Sequence, residues 1–122
     1  MARGLDIAAA QFSEDSSPFL SARRVSDLLG VTQSELAKLI GVARNTLTAA
    51  SGARKVDQAL SPVVRILAMA AEMAGDENRA VIWFKHQPIP GWAGKTAYDL
   101  VGEGKAGKVL AYLEAVRAGV YA

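Results

Sequence analysis

The stretch TQSELAKLIGVARNTL (32–47) constrains the fold of this chain more than any other. Thr32 and Glu35 stand at the S/T-x-x-E spacing in which each side chain satisfies the other's backbone N–H at a helix start. Leu36, Leu39 and Ile40 then recur on one helical face. Gly41 breaks the run, and VARNTLTAA (42–50) resumes it as a further helix with Val42 and Leu47 facing inward. Two helices separated by a single glycine must turn sharply and bury their apolar faces against each other.

The rest of the chain after Pro18 follows the same rule of short helices between glycine or proline stops. Ser21 can cap a first helix carrying Val25, Leu28 and Leu29, with Gly30 at its end. SGARKVDQAL (51–60) reads as a polar connector. SPVVRILAMAAEMAG then has Ser61 at a cap, Pro62 at the first helical position and Gly75 at the exit. Asp76 caps ENRAVIWFKH, which Pro88 and Pro90 terminate, and Thr96 with Asp99 can cap the short AYDLV. A last helix carries Val109, Leu113 and Val116 on one face, with Gly119 ending it. Strand alternation is absent. The expectation is an all-α chain: a mobile N-terminus (1–19), a helix-turn-helix unit (20–57) and a second helical unit (61–122).

Composition narrows the function classes. Hydrophobic residues make up 51% of the chain, enough for a packed core. No run of about 18 apolar residues is present, so no membrane span is expected. The absence of cysteine excludes disulfides and thiolate metal sites and fits a cytoplasmic protein. His86 is the only histidine, and no helix carries paired ligands at metal spacing. Converging groups for catalysis are therefore missing, and neither enzyme activity nor a cofactor is expected. The glycines of GEGKAGKV (102–109) imitate a phosphate cradle, but Val109 stands where a P-loop needs Ser or Thr. No strand precedes them, so they read as a turn between helices.

Net charge is only +2, but its placement is uneven. Between Leu36 and Val56 there is no acidic residue, while Lys38, Arg44, Arg54 and Lys55 all fall there. A local basic stripe fits a local anionic partner, or simply a solvated face. In a helix-turn-helix the second helix projects its N-terminal polar side chains into the major groove. Those side chains are Arg44, Asn45 and Thr46, with Thr48 one turn on; Arg can pair with guanine and Asn with adenine. Gln33 is placed for a phosphate, and Arg54 and Lys55 for backbone contacts that position without specifying. The alternative is a helical hairpin kept as scaffold or dimer surface.

TQSELAKLIGVARNTL resembles the Xre-type helix-turn-helix of bacterial and phage repressors, with Ala43 where that family often has a capping serine. The series Trp83, Pro88, Gly94, Thr96, Leu100, Gly104, Val109, Leu113, Gly119 and Tyr121 resembles the toxin-binding domain of Xre/MbcA/ParS-type antitoxins. Ala97 departs from the proline usual there. The resemblance implies an antitoxin that binds operator DNA, as a homodimer and in a higher toxin–antitoxin complex. Its partner would be a cognate RES-domain toxin acting on NAD. It further implies that Arg117, Gly119, Val120, Tyr121 and Ala122 obstruct the toxin's NAD pocket, where a guanidinium, a ring and a free carboxylate could sit. Tyr121 packing over the last helix is the alternative. Of the adjacent Trp83 and Phe84, one should be core and the other interface; Trp92, in a glycine-rich turn, is the better exposed toxin contact. The competing function is a stand-alone helix-turn-helix repressor whose second unit only dimerises.

Overall fold

The computed structural model describes residues 19–119, which form seven α-helices and one 3₁₀ turn, with no strand among them. Val120, Tyr121 and Ala122, and the expected mobile N-terminus up to Pro18, lie outside the described residues.

The first two helices form where their caps dictate. In α1 (Ala22–Leu29) the Ser21 side chain accepts from Arg24 N, and Gly30 closes the helix at φ 68°. In α2 (Gln33–Ile40) both halves of the capping box are made: Glu35 N donates to Thr32 Oγ1 at 3.0 Å, and Thr32 N donates to Glu35 Oε1 at 2.8 Å. Gly41 ends α2 at φ 75°, a left-handed value that favours glycine. The box stabilises the α2 start by roughly 1 kcal/mol.

The third helix is shorter than expected. Instead of running 42–50, α3 covers Arg44–Thr48, and Val42 lies in the turn before it. Ala49 is extended (φ −80°, ψ 135°), and a 3₁₀ turn, Ala50–Gly52, folds back on the helix. Gly52 makes that return possible, because a Cβ there would collide with the Thr46 carbonyl.

The expected polar connector is helical. A single helix, α4 (Ala53–Ala74), runs 22 residues through the segment 53–60, with Pro62 in its interior rather than at its first turn. The physical reason is an apolar stripe that ignores the local punctuation. Val56, Leu60, Val63, Leu67 and Ala70 are buried along one line at helical spacing. Pro62 removes one backbone donor, a cost the buried stripe outweighs. Burying each large apolar side chain contributes about 1.5–3 kcal/mol.

Three further helices complete the body: α5 (Glu77–His86), α6 (Ala97–Gly102) and α7 (Ala106–Arg117). Helix α4 is the axis, packing against α5, α7 and α3. One core runs through the whole, from Val25 and Leu36 through Leu60, Ile66 and Phe84 to Leu100 and Val109. Three links join distant segments to it. Leu20 N donates to Asp57 Oδ1 at 2.8 Å, α2 packs on α6, and Lys85 Nζ donates to Leu29 O at 2.9 Å. The last places a cation at the carboxyl end of α1, where the helix dipole favours it.

The glycine stretch behaves as a turn. Gly102 ends α6, Gly104 adopts φ 80°, and Gly107 falls in the first turn of α7.

Candidate functional site

The structure brings the amino ends of α2 and α3 together. Arg44 Nε donates to Ser34 Oγ at 3.1 Å, so the first side chain of α3 is braced by α2. Arg44, Asn45 and Thr48 are exposed, while Leu47 is buried and anchors the short helix. Thr46 is half-buried, its carbonyl and Cγ2 against Gly52. Thr48 Oγ1 reaches back to Asn45 O at 3.4 Å. Gln33 is half-buried at the first position of α2, beside Ser34. Arg54 and Lys55 are exposed in the first turn of α4, immediately after the 3₁₀ turn. The arrangement sets a braced guanidinium and an amide, groups able to pair with base edges, near two exposed cations of the kind that can hold phosphates.

Two properties of this unit bear on its strength. Ala43 is the N-cap of α3 with extended backbone (φ −69°, ψ 146°) and makes no side-chain cap, so no capping side chain satisfies the first N–H groups of α3. By contrast, the hydrogen bonds from Thr32 hold the Glu35 carboxyl below the ordinary carboxylate range, with Lys85 adding a smaller pull.

In the second unit, Phe84 is fully buried and meets Tyr98 edge-on at 5.9 Å, so it is the core member of its pair. Trp83 is half-buried and lines the surface. Burial pushes the Tyr98 hydroxyl up, with Glu35 and Asp99 acting in the same direction. Trp92 is half-buried rather than open, packed on the core edge with Lys105 Nζ 5.5 Å from its ring centre. Lys105 also meets Glu103 at 3.2 Å, and Lys95 meets the same carboxylate at 2.7 Å. The two hydrogen bonds, first from Lys95 and then from Lys105, hold Glu103 below its usual range. Arg117 is exposed at the end of α7, with Nη1 3.6 Å from Glu72 Oε2, and Gly119 is exposed at φ 86°.

Sequence reasoning missed Ser34, whose partner lies ten residues away in the chain, and left Trp83 undivided from Phe84. No described helix is long and apolar enough to cross a membrane.

Two family models match the chain. The antitoxin Xre-like helix-turn-helix domain matches residues 8–64, and the antitoxin Xre/MbcA/ParS C-terminal toxin-binding domain matches residues 69–119. Both are domains of antitoxins. No curated protein and no solved structure matches it significantly. The first match contains every base- and phosphate-facing candidate named above, and the second contains Trp83, Trp92, Arg117 and Gly119.

Proposed function

We propose that this chain, whose two matched domains support an antitoxin of the Xre type, neutralises a cytoplasmic RES-domain toxin by obstructing its NAD site. The toxin-binding domain follows the DNA-binding unit directly, and this order carries the reading. A partner-binding match at 69–119 also favours it over a repressor whose second unit only dimerises. Arg117 and Gly119 stand exposed at the end of α7, on the surface of the helical body. A guanidinium there, followed by Val120, Tyr121 and Ala122, offers a charge for phosphates and a ring for a slot that accepts aromatic rings. Trp92, with one side on the core, supplies a flanking contact.

On DNA, the antitoxin acts as a homodimer and represses its own operon, alone or in a larger complex with the toxin. Two copies of α3 then read inverted half-sites about 34–36 Å apart. Arg44 and Asn45 read bases; Gln33, Arg54 and Lys55 hold the backbone, with Thr46 and Thr48 at the groove edge.

Coexpression tests the central claim. The product of the gene beside this one should arrest growth and consume NAD or transfer ADP-ribose, and the intact chain should relieve both. Truncation after Ala118 should abolish relief while leaving operator binding intact. An equally protective truncated chain would refute the obstructing tail.

A further inference from the structure

A cation from the second matched domain closes the corner where α1 meets α2. Helix α1 ends in the left-handed Gly30, whose N–H donates back to Asp27 O while the N–H of Val31 donates to Ser26 O. These cap bonds serve the last turn, but neither reaches Leu29 O, the final carbonyl of the helix. Lys85, on α5 and 56 residues away, donates from Nζ to that oxygen at 2.9 Å. The Leu29 side chain is buried and Lys85 is half-buried, so the bond is partly shielded from water and stronger for it. Leu29 belongs to the first matched domain and Lys85 to the second.

The residues after Leu29 give this bond its reach. Thr32 is the N-cap of α2, and Ser34, the second residue of α2, accepts from Arg44 Nε. The Glu35 carboxyl, held low first by Thr32, also feels the Lys85 charge. Along its flank α2 rests on α6, with Leu39 Cδ1 3.8 Å from where a Cβ on Gly102 would stand. Yet the same two helices leave a depression of about 370 Å³ lined by Glu35, Lys38, Tyr98 and Asp99. Side chains do not fill this seam, so packing on α6 does not by itself set the tilt of α2.

We propose that Lys85 is a positioning residue for operator binding: from the toxin-binding domain it fixes the corner that aims α2 and, through Ser34, the Arg44 fork. It rests on the reading of α3 as the helix that meets bases. Lys85 itself touches no DNA. The domain that holds the toxin thus contributes to base recognition at a distance.

Anisotropy titrations test this with the full chain, on a duplex from the region upstream of its own gene and on a scrambled duplex of the same composition. They are run across salt and well below the melting temperature. Lys85→Met and Lys85→Ala both remove the donor. Each should weaken binding to the upstream duplex by about fivefold or more and leave the scrambled duplex within about twofold of wild type. A role in stability alone would lower the melting temperature without moving this ratio. Lys85→Arg, which keeps a cationic donor, should restore most of the preference. The salt slope should stay as in wild type, because no phosphate contact is lost. Affinity for the upstream duplex within about twofold of wild type in both variants would overturn the inference, and so would equal losses on the two duplexes. A slope lower by about 1 would also overturn it, since Lys85 would then meet a phosphate itself. If wild type shows no preference between the duplexes, the reading of α3 fails and this inference falls with it. The wild-type arm tells that failure apart from the failure of Lys85 alone.

Discussion

Arg44 Nε donates to Ser34 Oγ at 3.1 Å, linking the first residue of α3 to the second of α2 across the glycine turn. With Nε engaged, the two terminal nitrogens are the part of the fork left to meet a guanine edge. Arg44→Ala should therefore weaken operator binding by about 1–3 kcal/mol and relax preference at one base position. Arg54→Ala should weaken operator and scrambled duplexes alike and lower the salt slope by about 1. Anisotropy titrations of both variants on both duplexes across salt check this. Equal losses from Arg44→Ala on the two duplexes would show that Arg44 reads no base.

Ala43 already has the extended backbone of an N-cap but no side chain to use there. Ala43→Ser should add a hydrogen bond to the start of α3 and raise stability by about 0.5–2 kcal/mol. Urea unfolding is the measurement, and operator affinity should rise with it. No gain in midpoint would mean that the uncapped start of α3 does not limit the unit.

Pro62 provides a sharper test of the continuous α4. In a helix interior proline is about 3 kcal/mol worse than alanine, but at a first helical position it is well tolerated. Pro62→Ala should therefore raise stability, by about 1–3 kcal/mol once the looser unfolded chain is allowed for. A neutral or destabilising result would instead place a helix start at this point.

Glu35 sets an acid limit on the DNA-binding unit. Its folded value is lowered by the hydrogen bonds from Thr32, so its contribution is fully present above the unfolded carboxylate value. That contribution is lost as pH falls through the lower folded value. Melting temperature against pH should drop through the acid end of the carboxylate range, and Glu35→Gln, which keeps a capping side chain, should flatten part of that drop. An unchanged profile in the variant would sink the assignment.

What could be read from the chain divides by distance along it. Thr32 with Glu35, Thr96 with Asp99 and Asp76 with Arg79 are three residues apart, so their caps are visible as spacing. Ser61 and Pro62 carried the same kind of local signal and misled, because the decision at that point is made by burial. Val56 and Leu60 continue the stripe of Val63 and Leu67, a pattern present in the sequence but masked by the charges between them. Contacts such as Lys85 with Leu29 O are 56 residues apart and have no local mark. Trp83 and Phe84 are both apolar aromatics, and only the packing of α5 decides which is hidden. The candidate DNA-facing side chains were legible because their helix is short and local. Ser34 was not, because its role exists only once the turn is made.

The unbroken α4 makes the spacing of the chain's two duties a matter of phase. Each residue in a helix advances the axis by about 1.5 Å and turns it by about 100°. One residue inserted near Pro62 would swing every partner-facing side chain beyond it by more than a quarter-turn relative to the groove-facing ones. Length changes at this point are thus not absorbed as they would be in a linker. Domains exchanged between relatives must be joined in register along this helix, or the faces at its two ends would lose their relative orientation.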